Sequence, residues 1–278
     1  MPAATTLTAL LLVALALAPA PGRASDSCAD IDVAKTFGFD YHSGRHRDWV
    51  TAEATPEARV ASPRGTWRVD GAANGAISVS AWDRGGVLVC AKVVAAGADQ
   101  DAANALLRQV RIVADERGLR VEGPEQRGDR RWAIAVHVFA PNRLDLAIET
   151  ANGPITVVGM RGRTDVRSDN GPISVSDVGG RITGGTTNGP IELRLTGTRW
   201  QGDGVDLHTT NGPVTIAVPR GYSADLDAGT MNGPFDIAFP VTVQGRLRHS
   251  VRTSLGSGGS LIRVRSVNGP VTIQRDGD

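Results

Sequence analysis

Lysine is almost missing from this chain, neither sign of charge is in excess, and stretches with helical periodicity are scarce. Of the 30 basic residues only Lys35 and Lys92 are not Arg, a bias for which a GC-rich genome is the plain reading. Those 30 face 29 acidic residues, and no basic stripe of the kind that neutralises a phosphate backbone stands out, which argues against a nucleic-acid partner. Long apolar runs are equally rare. The stretch from Leu7 to Ala18 is almost wholly apolar but too short to span a bilayer. It reads as an export signal, although no Lys or Arg precedes it. Cleavage fits after Ala24, with Gly22 at minus three, since a cut after Ala20 would face Pro21. Ser25-Asp26-Ser27 ahead of Cys28 lacks the large aliphatic residue that a lipid-anchoring signal requires. Loss of residues 1–24 removes Arg23 and no acid, leaving a mature chain of zero formal charge.

Catalytic signatures are missing too. No Gly-x-Ser-x-Gly is present, and no phosphate-cradling Gly loop leads into a helix. His137, His208 and His249 are scattered, and His208 falls on an outward strand position. His42 and His46 stand four apart, a metal-binding spacing on a helix, but Gly44 lies between them and no apolar periodicity supports a helix there. No cofactor and no metal site is read from the sequence. The two cysteines, Cys28 and Cys90, both survive processing. In an oxidising compartment they form one disulfide; the alternative is two unpaired thiols.

What the chain has in plenty is a repeat. Asn-Gly-Pro begins at Asn152, Asn170, Asn188, Asn211, Asn232 and Asn268, at spacings of 18, 18, 23, 21 and 36. Three residues after each Asn stand Ile155, Ile173, Ile191, Val214, Phe235 and Val271, and two further on Val157, Val175, Leu193, Ile216, Ile237 and Ile273. That period of two opens a short strand with one apolar face. The position two before each Asn holds Thr or Ser, and the position six before it holds Leu146, Thr164, Ile182, Val205, Leu226 or Ile262. A second strand therefore leads into each corner. Gly and Asn tolerate positive φ, and Pro suits the first residue of a strand. A unit of about 20 residues that cannot bury its apolar face alone stacks into a solenoid. At roughly 4.8 Å per coil, six to eight coils make a rod of about 30 to 40 Å. The stacked Asn amides are expected to bond from one coil to the next.

The expected fold class is mainly β: a single-stranded parallel β-solenoid of short coils, with an N-terminal β lobe carrying one helix. The boundaries are a signal peptide over 1–24, an irregular segment over 25–65, the β lobe over 66–145 and the solenoid over 146–278. Within the lobe, Asn74-Gly75-Ala76-Ile77 is a degenerate copy of the repeat. Asp99 to about Val110 reads as a helix capped by Asp99, with Ala103, Leu106, Leu107 and Val110 on its apolar side. Strands are expected around Ile112, over Leu119–Val121 and over Trp132–Phe139.

Trp67-Arg68-Val69 through Ala81-Trp82-Asp83, the recurrent Thr/Ser-x-Asn-Gly-x-Ile/Val-x-Val, and Leu255-Gly256-Ser257-Gly258-Gly259 followed by Val264-Arg265-Ser266-Val267-Asn268-Gly269 together make the chain resemble a known family. This is the bacterial "putative adhesin" domain, a β-solenoid family of undefined function related to autotransporter adhesin heads. The resemblance covers about Gly65 to Ile273. It departs in placing Pro after almost every Asn-Gly, where Ser, Asp or Lys is more usual. It implies an exported binding protein and carries over no catalytic residue.

Parallel β-helices also host polysaccharide-active lyases and glycosidases, so the carboxylates matter. Asp206 and Asp227 stand five before an Asn on consecutive repeats, with Asp165 in the same outward row and Asp225 and Asp236 nearby in sequence. Stacked one coil apart they would pair, at a separation suited to glycoside hydrolysis. Ala147, Thr183 and Arg263 complete the row, which then reads as an ordinary mixed surface. Gly202-Asp203-Gly204 echoes a calcium nonapeptide but occurs once. The outward row Thr156, Ser174, Glu192, Thr215, Asp236 and Thr272 is a hydroxyl array broken by two acids. The sequence thus points to a non-catalytic, exported binding protein with a surface ligand such as a glycan, a matrix protein or an envelope protein. The rival readings are a polysaccharide-active enzyme and a structural or stress-related envelope component. The destination is the periplasm or the cell surface. An uncapped last coil after Ile273 would offer an edge for self-association.

Overall fold

The computed structural model describes Cys28 and residues 50–126, 131–240 and 249–276. The signal peptide, its cleavage site and the His42/His46 pair lie outside the described residues. What is described is mainly β, with two mixed sheets and one helix.

The repeats alternate between the two sheets. The strands after each corner are β10 (Ile155–Val158), β12 (Ile173–Ser176), β14 (Ile191–Arg194), β16 (Val214–Val218), β18 (Phe235–Ile237) and β21 (Val271–Arg275), and all lie in one sheet. Those leading into each corner are β9 (Leu146–Asn152), β11 (Arg163–Asn170), β13 (Arg181–Asn188), β15 (Gly204–Asn211), β17 (Ala224–Asn232) and β20 (Leu261–Asn268), all in the other. Pairing within both sets is parallel and in register, so Ile155 meets Ile173, Ile173 meets Ile191 and Ile191 meets Val214. The inward residues of both sheets, among them Ile155, Val157, Val166, Ile182, Leu207 and Val264, fill one continuous core.

The rungs do not stack in chain order. The strand of Asn268 lies between those of Asn211 and Asn232: β20 pairs with both β15 and β17, and β21 with both β16 and β18. Two expectations are corrected by this. Asp206 and Asp227 are not on neighbouring rungs, and β21 is no open edge, because a neighbour lies on each side of Ile273. The spacing of 36 is occupied instead by β19 (Ser250–Leu255), which pairs antiparallel with the outer edge of β17, and by the turn that returns the chain across the end of β17 to β20. That turn is Gly256-Ser257-Gly258-Gly259, and Gly258 and Gly259 take φ of 73° and 140°, which a side chain disfavours. Among the described residues β18 is the last strand of the other sheet at this end.

Both sheets continue into the N-terminal residues. The first repeat is β3 (Trp67–Asp70) and β4 (Gly75–Trp82), whose Ile77 and Val79 pair with Ile155 and Val157. Beyond them lie β7 (Gly118–Glu122) and β6 (Arg111–Asp115) on one side, and β8 (Arg131–Pro141) and β5 (Val87–Gly97) on the other. The helix α1 (Gln100–Leu107) buries Ala103 and Leu106, and the Asp99 carboxylate accepts from the Ala102 amide at its N-terminus. It ends earlier than the sequence suggested. The Gln109 and Val110 amides bond three residues back, tightening the last turn out of α geometry.

Within the segment expected to be irregular, β1 (Val50–Ala54) and β2 (Glu57–Val60) pair antiparallel with one edge of β5. They are a single edge strand interrupted at Pro56, where the missing N–H is tolerated. Alternating charged residues hid this strand from a periodicity argument. Both faces of β5 are buried. Val87, Val89, Ala91 and Val93 face the main core, while Leu88 and Cys90 join Ala76, Trp82 and Ala135 in a second small cluster against Cys28. Cys28 and Cys90 are joined by a disulfide, with Cα atoms 5.4 Å apart and a sequence separation of 62.

Candidate functional site

The corner is the most regular part of the surface. Asn170, Asn188, Asn211, Asn268 and Asn232 each donate Nδ2 to the Oδ1 of the preceding rung, in the order Asn152, Asn170, Asn188, Asn211 and Asn268, at 2.8 to 2.9 Å. Asn152 extends the row to Ala73 O at 2.7 Å and Asn74 Oδ1 at 3.3 Å. Every amide points the same way, so one exposed ladder runs the length of the repeats. The Thr or Ser two residues earlier is buried and donates to the Gly carbonyl of the neighbouring corner: Thr150 to Gly75, Thr209 to Gly189 and Ser266 to Gly212, at 2.7, 2.9 and 2.9 Å. The equivalent hydroxyls of Thr186 and Thr230 make no hydrogen bond.

One ladder hydrogen bond on each side is at stake when a central Asn is lost. Asn188→Ala is expected to reduce stability by about 1 kcal/mol, read from the urea midpoint, without changing the strand signal in circular dichroism.

The outward face leading into the corners carries the densest charge. Register sets Asp165, Thr183, Asp206, Arg263 and Asp227 in one row, in that spatial order. Arg263 therefore separates the two acids: its Nη1 is 3.3 Å from Asp206 Oδ2 and its Nε 3.4 Å from Asp227 Oδ2. The Asp227 side chain points outward as expected, yet only 4% of it is exposed, against 51% for Asp206. Arg252 on β19 roofs it at 3.0 Å, and Arg265 Nη2 bonds its Oδ1. Burial pushes this carboxyl up, but hydrogen bonds and charge from Arg252 and Arg265 outweigh burial and hold it below the usual range. An acid so fixed stays ionised and is a poor proton donor. Asp225 accepts from Ser254 Oγ at 2.6 Å.

Sequence reasoning found Asp206, Arg263 and Asp227 as a row but not the roof. Arg265 was discoverable, because it stands two after Arg263 and shares its face. Arg252 was not, because β19 lies outside the repeat.

The remaining candidates stay dispersed. In the other sheet Thr156, Ser174, Glu192, Thr215, Thr272 and Asp236 form the outward row in that order, and Ser174 donates to Glu192 at 3.3 Å. Among the described residues no group of three or more His, Cys, Asp or Glu side chains is arranged to hold a metal ion, and Asp203 sits in an exposed loop. His208 is exposed on β15, and His249 lies 3.2 Å from Gly233 O.

His137 is the exception. It is paired beside Cys90, stacks on Phe139 at 4.3 Å and meets Ser80 Oγ through Nε2 at 3.1 Å, while its Nδ1 is buried without a partner. A Ser and a His in contact suggest a nucleophile and its base, but nothing among the described residues orients the ring through Nδ1. Burial lowers its pKa from 6.5 to about 4. The unfolded chain binds this proton near pH 6.5 and the native chain only near pH 4, so stability is lost as pH falls through that window. The loss expected by pH 4 is roughly 3 kcal/mol. Denaturation midpoints between pH 7 and 4 check it, and His137→Phe is expected to flatten the profile.

No protein-family model matches the sequence, and no curated protein does. Solved structures do. One is a "putative cell adhesion protein" from Clostridium sporogenes, at 10% identity over 82% of this chain and 100% of that one, with a TM-score of 0.46. A "putative adhesin" from Bacteroides fragilis is similar at 10% identity over 81% and 97%, with a TM-score of 0.44. Another from Parabacteroides distasonis shares 12% identity over 81% and 97%, with a TM-score of 0.27.

Proposed function

We propose that this chain is an exported β-solenoid whose work is non-catalytic binding through its exposed sheet faces and Asn corners. The observation that carries the reading is the in-register parallel pairing, which places equivalent side chains in straight rows one strand spacing apart. A ligand that itself repeats, such as a glycan chain or a fibrous protein, meets several equal contacts at once, and the second contact then forms at high effective concentration. The Cys28–Cys90 disulfide fits an oxidising compartment. No helix among the described residues is long and apolar enough to cross a membrane.

A polysaccharide-active enzyme is not favoured. The acids it would use, Asp206 and Asp227, are bridged by Arg263, and Asp227 is held ionised under three guanidinium groups. The test is binding of the processed chain, residues 25–278, to arrays of glycans, matrix proteins and envelope fractions. Saturable binding that survives moderate salt is the expected result. Absence of binding on all three arrays would sink the proposal and leave the structural envelope role.

A further inference from the structure

The apolar pattern does not explain why the last repeat lies inside the stack. If the rungs stacked in chain order, β17 and β18 would lie directly on β15 and β16. Leu226 would then meet Val205, Ala228 would meet Leu207, Phe235 would meet Val214 and Ile237 would meet Ile216. All eight positions face inward, and the contacts are as apolar as those observed. The Asn ladder would run as well from Asn211 to Asn232 as it now does through Asn268. Short in-register strands with interchangeable apolar faces specify their neighbours weakly.

Charge breaks the tie. Chain-order stacking sets the Asp206 and Asp227 carboxylates side by side at one strand spacing, a like-charge pair in direct cross-strand contact. The observed order puts Arg263 between them and in contact with both. In the next outward row Arg265 lies between His208 and Gly229, and from there its Nη2 reaches Asp227 Oδ1. We propose that the alternation Asp206–Arg263–Asp227 selects the inserted position of the C-terminal rung and excludes the chain-order stack, for which every strand is already present once residues up to Ile237 have been synthesised. The arginine cluster is in this respect a register lock: the two acids repel the wrong neighbour and Arg263 rewards the right one.

Cysteine pairs on the opposite sheet report the order without touching the cluster. Thr215 and Thr272 are register partners, as are Thr272 and Asp236, while Thr215 and Asp236 are two rungs apart. That is roughly 10 Å, beyond the reach of a disulfide. Full-length chains carrying Thr215→Cys with Thr272→Cys, or Thr215→Cys with Asp236→Cys, are unfolded, refolded under oxidising conditions and quenched at intervals. Otherwise wild-type chains are expected to cross-link the first pair and not the second. Asp206→Asn removes the repulsion from an exposed side chain whose ion-pair partner here is Arg263, and is expected to raise the 215–236 cross-link about tenfold early in refolding. Arg263→Glu sets three acids in the native row, and the 215–236 product is expected to equal or exceed the 215–272 product. Screening by 1 M salt is expected to raise the 215–236 product in the wild type as well, which a purely steric preference would not do. If Arg263→Glu does not fold, Asp206→Asn and the salt series decide. A 215–236 fraction that stays at the wild-type, low-salt level under both would overturn the proposal.

Discussion

Replacing Gly171 by Ala is expected to cost about 3 kcal/mol, read from denaturant midpoints. A Cβ built there would lie 2.0 Å from the Gly153 carbonyl oxygen and 2.6 Å from its carbon. Both atoms are backbone in the rung below, so no side chain can swing aside, and relief requires the two corners to separate. Separation stretches the hydrogen bond from the Gly153 amide to Asn170 O at 3.0 Å and the ladder bond from Asn170 Nδ2 to Asn152 Oδ1. Gly189 and Gly212 meet the corner beneath them at 2.1 and 2.0 Å, so the same change at either is expected to cost a similar amount. Gly197 is the control. Its φ is 73°, but nothing lies within 4 Å of its Cβ direction. Gly197→Ala carries backbone strain alone, roughly 1 kcal/mol.

Asp227→Ala is expected to be as damaging, at roughly 3 kcal/mol, for a different reason. The carboxylate is nearly enclosed, and its removal leaves Arg252, Arg263 and Arg265 facing one another without the charge that gathers them. Since Arg252 belongs to β19, the loss falls on the strand that covers the outer edge of β17. Asp206→Ala, at a site more than half exposed, is expected to change stability by less than about 1 kcal/mol. The arginines hold the Asp227 pKa below that of an unfolded Asp, so its contribution is complete above about pH 4 and fades as pH falls through the lowered native value. That acid loss lies below the His137 window and is removed by Asp227→Asn, whereas the His137 loss is not. Urea midpoints followed from pH 7 to 2 separate the two.

Most of the stack was legible in the sequence because parallel in-register pairing turns a sequence repeat into a spatial row. Ile155, Ile173, Ile191 and Val214 show the apolar row, Asn152 to Asn268 the corner ladder, and Asp99 the start of the helix. The insertion of the last rung was not legible. Its apolar residues, Ile262, Val264, Val271 and Ile273, fit equally well at the end of the stack, and the deciding residue, Arg263, reads alone as ordinary surface charge. Arg252 was hidden because β19 follows no repeat. The edge strand broken at Pro56 was hidden because Glu53, Glu57 and Arg59 mask its alternation. The half-buried His137 escaped because its neighbours Ser80 and Cys90 lie on other strands, 57 and 47 positions away in sequence, and no local pattern announces them.

The rows of equivalent residues are what the proposed binding role uses, and their order is directly observable. With Asn side chains selectively labelled, through-space NMR contacts between the amide groups are expected to link Asn188 with Asn211, Asn211 with Asn268, and Asn268 with Asn232. Contacts in that sequence, with none between Asn211 and Asn232, would establish the stack. A direct contact between Asn211 and Asn232 would contradict it.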